Sequence, residues 1–439
     1  MYSVLFQYVF LLTSYPLARW ILPHIKSKQN ALILHVVLGV AACTFFFRER
    51  IILALIMITV GYYILDSNPY TVFAVSFFMN TVIHFVQLVW PVHHKISNLT
   101  MIVFYKIVAT SFNLEDGRKI KQQEKQLDKR QRNFALLQKP TFFEWLAYCF
   151  TPFGSISNSF YEYKLFDYLL NIGNNPNKAS DKSKSKALLC LLRSLVYSAI
   201  YYCFRHYFSL DFYKSEFFLS LNFFVRILLV LFLGIIIFSK DFMLWKAVDA
   251  GLYAAGFEDS GFATETDFSS LTFEFLLSTK TIKEWSGAFN YTNELFWSNY
   301  LTLRGPESGL GPTVVYWIMF FAKPIYKGLY GGILLASFEK KLFEKAEKVL
   351  MAVVPRFTKS FWPVYIFAQA AMTLNRASMR FKTTYTFFYV NEVIYYSFWI
   401  LSAVLVVAGF FLVKDQPKAE EKKDKVEEKK DDDEHIKKE

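Results

Sequence analysis

The chain has 439 residues, of which 54% are hydrophobic, 19% aromatic and only 20% charged, with 48 phenylalanines. That balance excludes an ordinary soluble domain and points to a protein that meets lipid. The formal net charge of +12 does not indicate nucleic acid, because the basic residues gather in connectors between apolar runs, as the positive-inside rule requires.

A helix needs roughly 20 apolar residues to cross a bilayer. Taken in chain order, the runs that meet this length are 2–22, 31–47, 71–91, 187–210, 217–238, 312–337 and 383–413, with weaker candidates at 51–65, 101–111, 141–153 and 361–374. The expected fold class is therefore all-α: a polytopic membrane protein with about ten transmembrane helices. The first run starts without a basic leader or a small-residue cleavage site, so it reads as a retained span. One membrane domain is expected over residues 1–413, followed by a tail, 414–439, whose mixed charge blocks cannot bury enough surface to fold. Its end, Lys437-Lys438-Glu439, resembles a dilysine retrieval signal with the register off by one.

The basic connectors 117–132 and 174–186, together with the tail, are expected on the cytosolic side. Segment 117–132 reads as a polar helix on the membrane surface, either a plain connector or a gatherer of phosphate. The intervening block Pro140–Leu170 must then cross an even number of times, or dip in and return around the polar centre Ser155–Ser159. Cys43, Cys149, Cys190 and Cys203 lie in or beside apolar segments with no metal or disulfide spacing, and read as buried free thiols. His93-His94 point to opposite sides of any regular element and make a poor metal pair. His84 reads as a hydrogen-bonded core residue or a buried relay, and His206 as an interfacial anchor among aromatics.

Two segments carry the strongest signal. Phe289-Asn290 opens a polar-aromatic stretch that runs to Tyr300, and Tyr326-Lys327-Gly328-Leu329-Tyr330-Gly331-Gly332 lies inside an apolar run. Together they resemble the membrane-bound O-acyltransferase family, in which a Trp-Asn segment precedes a Trp-His-Gly-(aromatic or Leu)-Tyr-Pro-Gly segment. Further pieces follow the order of that family's lysophospholipid branch: Ser14-Tyr15-Pro16-Leu17-Ala18 with Leu38-Gly39; Lys106 and Thr110-Ser111-Phe112-Asn113-Leu114-Glu115-Asp116-Gly117; Lys139-Pro140-Thr141 with Glu144–Phe150; and Gly251–Phe257. The chain departs from the family in two places. Asn158-Ser159 stands where a Gly-Pro pair is usual, and Lys327 stands where the family has its histidine. No histidine occurs between His206 and His435.

The resemblance implies transfer of a fatty acyl group from acyl-CoA, as co-substrate, to a lysophospholipid in the endoplasmic reticulum membrane, with no bound cofactor or metal. Such a transfer needs a base for the hydroxyl proton and a donor that holds the oxyanion or orients the nucleophile. The resemblance assigns the donor to Asn290 and the base position to Lys327. Burial can turn a lysine into a base. Alternatively Lys327 stays protonated and pairs with Glu294, Glu307 or Asp267, in a relative without activity that binds lipid or stabilises a membrane protein complex. A transporter is a third reading, opposed by the lack of an inverted repeat and of a chain of carboxylates within the spans.

Overall fold

The computed structural model describes residues 2–89, 96–122, 127–155, 160–174, 179–208, 210–259, 278–288, 291–305, 309, 311–329, 331–354, 362–380, 391 and 396–412. Among these, every regular element is helical and none is a strand. The principal helices are α1 (Tyr2–Leu12), α2 (Lys28–Phe47), α3 (Ile51–Ile64), α4 (Pro69–Val89), α5 (Ser97–Lys121), α6 (Phe142–Phe150), α7 (Tyr163–Leu170), α8 (Asp181–Phe204), α9 (Phe223–Ala254), α10 (Ile282–Ala288), α11 (Tyr291–Trp297), α12 (Pro312–Lys327), α13 (Gly331–Val353), α14 (Trp362–Arg380) and α15 (Ser397–Leu412).

Three helical stretches among the described residues are long and apolar enough to cross a membrane: Lys28–Ile64, Pro69–Val89 and Asp181–Lys214. Helices satisfy their backbone groups internally, the condition for a segment in lipid. Large apolar side chains on these stretches stay uncovered, with Phe45 64% and Phe78 66% exposed, as a lipid-facing surface requires. Phe223–Phe232 and Ser397–Gly409 are shorter apolar helices.

Local sequence sets the ends of these elements. The Ser27 hydroxyl caps α2 by accepting from the Asn30 amide, and Thr141 with Glu144 forms a capping box on α6. A tight turn at Arg48–Arg50, with Arg48 at φ 51°, separates α2 from α3.

Several expected spans take a different form. Run 2–22 is not one helix: α1 stops at Leu12, and short turns at Ser14–Pro16, Leu17–Ile21 and Leu22–His24 follow around Pro16. Run 141–153 yields only the nine-residue α6, about 14 Å long at 1.5 Å per residue and too short to cross. Run 217–238 starts its long helix at Phe223 and continues to Ala254, past a buried Lys246–Asp249 pair at 2.7 Å. The connector 117–132 is not a separate surface helix. Gly117–Lys121 is the end of α5, and Lys129–Phe134 is a single short helix. Likewise Asp181–Lys186 is the first part of α8 rather than connector. Cys203 is exposed, whereas the other three thiols are buried. The tail 414–439, His93-His94 and residues 156–159 lie outside the described residues.

The deepest element is α5. Every residue from Leu99 to Asn113 is buried, so weak candidate 101–111 is an interior helix enclosed by protein, not by lipid. Close approach to it and between its neighbours depends on glycine. A Cβ on Gly117 would strike the Leu136 carbonyl, one on Gly39 the Phe150 carbonyl, and one on Gly251 the Ser14 side chain.

The run 312–337 contains a break. α12 ends at Lys327, Gly328 has φ 138°, and α13 starts at Gly331. That positive φ suits glycine alone, and interrupted backbone at membrane depth survives only where protein encloses it.

Candidate functional site

The break exposes the carbonyl of Tyr326, and α4 supplies the donors for it. Asn80 Nδ2 donates to Tyr326 O at 3.1 Å, and His84 Nε2 lies 2.8 Å from the same oxygen. Asn80 and His84 are four residues apart, so they occupy one face of α4 and reach one target together. Both are buried. A carbonyl takes two hydrogen bonds through its two lone pairs, and the paired donors hold in place the residue just before Lys327.

The Tyr326 side chain faces a second set of groups. Asn293 Nδ2 donates to the Tyr326 hydroxyl at 2.9 Å. Asn293 Oδ1 accepts from the Tyr105 hydroxyl and, at 3.0 Å, from Trp297 Nε1. Phe104 and Phe296 close the aromatic surround, with Tyr105 and Phe296 ring centroids 4.1 Å apart. Each buried polar atom named here has a partner, so the cluster can persist in an apolar interior.

One turn further along, Tyr300 donates to Glu162 Oε1 at 2.6 Å, and Asn113 Oδ1 lies 3.1 Å from the same hydroxyl. Asn113 Nδ2 donates to Glu162 Oε2 at 3.0 Å, and Arg130 reaches Glu162 Oε1 at 3.2 Å. Arg304 then grips Asp116 with both guanidinium ends, at 2.8 and 2.6 Å, in a site where both side chains are at most 5% exposed. The planar guanidinium fits a carboxylate through two parallel bonds. It also stacks over Phe112, 4.9 Å from the ring centroid.

Lys106, also on α5, is completely buried. Its ammonium donates to the Tyr148 carbonyl and lies over the rings of Tyr148 and Tyr161, 4.3 and 5.3 Å from their centroids. Aromatic faces and a carbonyl are what a lysine far from water needs.

Of the residues proposed from sequence, Asn290 lies outside the described residues, between α10 and α11, as do Glu307 and Asp267. Lys327 is half-buried at the end of α12. Glu294 pairs with Lys323 at 2.7 Å, and Lys327 and Lys340 also act electrostatically on that carboxylate. The structure also brings in residues that sequence reading passed over: Asn80, Tyr105, Glu162, Asn293, Trp297 and Arg304. Asn293, Trp297 and Tyr300 follow the i, i+4, i+7 spacing of one helix face, a signal available in the sequence. The α4 residues and Glu162 had no such signal, because their partners are distant in the chain.

Outside the apolar region, Glu258 accepts from Lys186 at 2.6 Å and pairs with Lys182 at 3.1 Å. The Lys186 hydrogen bond holds the Glu258 carboxyl below its ordinary range, against the opposing effect of burial. Among the described residues no group of three or more His, Cys, Asp or Glu converges in a way that could hold a metal ion. No protein-family model and no curated protein matches this chain.

Proposed function

We propose that the chain crosses the endoplasmic reticulum membrane about ten times and is a membrane-bound O-acyltransferase-like protein of the lysophospholipid branch. The observation that carries this reading is a convergence of segments. Three stretches that resemble the family, far apart in sequence, supply neighbouring side chains to one buried cluster: Tyr105 next to Lys106, Asn293 shortly after Asn290, and Tyr326 next to Lys327. In the reaction, the lysolipid hydroxyl oxygen bonds to the thioester carbonyl carbon and the C–S bond breaks. The hydroxyl proton passes to a base, and CoA leaves as a thiolate that takes up a proton. Asn290 would orient or stabilise the carbonyl oxygen, and Lys327 occupies the base position.

A second reading is favoured by the surroundings of Lys327. Lys323, Lys327 and Lys340 share the field of Glu294, which is an ionic network rather than an isolated base. On this reading the protein is an inactive relative that binds lipid or serves in a membrane complex. The test is transfer of labelled acyl groups from acyl-CoA to a panel of lysophospholipids by purified wild type, Lys327→Ala and Lys327→His. Product from wild type that disappears in Lys327→Ala establishes lysine-dependent transfer. No product from wild type removes the enzymatic reading.

A further inference from the structure

One buried carboxyl ties α10 to α13. Glu347, on α13 beyond the apolar run 312–337, is 4% exposed, and its Oε1 accepts from the Ile282 N–H at 2.8 Å. Ile282 opens α10 and is buried, as is Trp285, whose ring centroid lies 5.2 Å from that of Phe238. From α14, Gln369 Nε2 donates to the Thr279 carbonyl at 3.0 Å. These contacts seat α10 directly before Asn290 and α11 in the chain, so its position bears on the segment that carries the proposed donor.

The groups around Glu347 do not neutralise it. On α13, Glu344 is the acidic neighbour and is itself engaged by Lys341 at 2.7 Å and Lys340 at 3.6 Å, while Lys348 favours the Glu347 charge. On the α10 side, Glu284 opposes that charge, and its Oε2 accepts from the Lys280 N–H at 2.8 Å; Lys280 and Lys283 are exposed. The residues of α15 carry no charge. On α14, Arg376 and Arg380 follow Asn375, which bonds to Glu339, eight residues before Glu347 on α13. Among the described residues no basic side chain forms an ion pair with Glu347. A charge there is therefore buried without a cation beside it, which is costly.

Burial pushes the Glu347 carboxyl up to about 7, and Glu344 and Glu284 push it the same way, against the Ile282 hydrogen bond and Lys348. Protonated, the carboxyl still offers an oxygen to the Ile282 N–H and brings no charge into the protein. Ionised, it is better solvated when it turns out to water, and that movement releases Ile282. The closed contact binds the proton more tightly than the open one. It is therefore strongest below the ordinary carboxyl range, weakens about tenfold per pH unit from there to about 7, and changes no further above that.

We infer that the Glu347 carboxyl and the Ile282 N–H form an acid-closed latch, which holds α10 against α13 in mildly acidic conditions and loosens towards neutral pH. The latch does not depend on acyl transfer; only its consequence for Asn290 rests on that reading.

The experiment is hydrogen–deuterium exchange, read by mass spectrometry on the detergent-purified full chain and corrected for the intrinsic exchange rate at each pH. Between about pH 5.5 and about pH 7.5, peptides covering 280–288 should lose about twentyfold in protection, while those of α8 should hold theirs. Glu347→Gln keeps an accepting oxygen and cannot ionise, so α10 should stay protected at both values. Glu347→Leu has no acceptor, so α10 should be open at both. Glu258→Gln, at a separate ion pair, should keep the wild-type difference. If the Glu347 variants do not fold, Glu284→Gln carries the comparison: removing an acidic neighbour should move the loss of protection to lower pH without abolishing it. Equal corrected protection at the two values in wild type overturns the latch. So does a loss that persists in Glu347→Gln, or one that Glu284→Gln abolishes. Exchange is read without substrate, so a lack of acyl product removes the enzymatic reading and leaves the latch standing; acyl product with a pH-independent α10 does the reverse.

Discussion

Separating Asp116 from Arg304 should damage this protein more than most single changes. Asp116 is fully buried and takes two guanidinium hydrogen bonds, at 2.8 and 2.6 Å. Replacing it with alanine leaves the Arg304 charge inside the protein, beside the Phe112 and Tyr300 rings, without the carboxylate that binds both of its ends. Breaking a buried pair in this way costs about 3–5 kcal/mol, whereas replacing both partners by apolar groups is often nearly neutral. An unfolding entropy of about 2.1 cal/mol/K per residue corresponds to ~0.9 kcal/mol/K for the whole chain, so Asp116→Ala should lower Tm by about 3–5 °C. Asp116→Leu/Arg304→Met should recover at least half of that loss. Fluorescence-detected thermal melting of detergent-purified protein, at one scan rate for all variants, measures the cycle. A single variant that melts within about 1 °C of wild type, or a double variant as unstable as the sum of the singles, would show that the pair does not hold α5 to the segment after α11.

Other expectations follow from the same structure. Asn80→Ala and His84→Ala should each cost about 1–2 kcal/mol, and the pair should cost less or more than their sum because both donate to Tyr326 O; strict additivity in a melting cycle would contradict the shared carbonyl. Gly39→Val should prevent α2 from reaching the Phe150 carbonyl and reduce the monodisperse yield by size-exclusion chromatography, while Gly311→Ala, with open space around it, should not. Glu258 should contribute about 0.5–1 kcal/mol at neutral pH and low salt. Its folded pKa is depressed, so that stability is present above the ordinary carboxyl range and lost as pH falls through the folded value. Glu258→Gln should therefore flatten the melting profile as pH falls from about 5 downward through the carboxyl range, and a slope there equal to that of wild type would refute the assignment.

Much of the architecture is legible from side-chain chemistry alone. Apolar stretches such as Lys28–Ile64 and Pro69–Val89 must be helical wherever lipid surrounds them, because no other open structure satisfies their backbone groups. Caps such as Ser27 and Thr141 fix helix starts through bonds spanning three residues. The glycines at 39, 117 and 251 are visible as small residues, but the carbonyl or hydroxyl each one admits comes from another part of the chain.

What the linear order could not fix is which polar groups share a partner. Hydropathy makes 312–337 a single span; the break at Gly328 arises because Asn80 and His84, more than 240 residues earlier, satisfy the carbonyl that the broken helix leaves free. It likewise makes 101–111 a marginal crossing segment, whereas α5 is the enclosed centre whose Tyr105, Asn113 and Asp116 reach three different elements. Composition and periodicity therefore determined that the chain is helical and meets lipid, since those depend on each residue's own transfer free energy and its near neighbours. The break in α12, the partners of Tyr326 and the lysines gathered around Glu294 were decided by tertiary structure, because a hydrogen bond or an ion pair depends on distances that only packing sets.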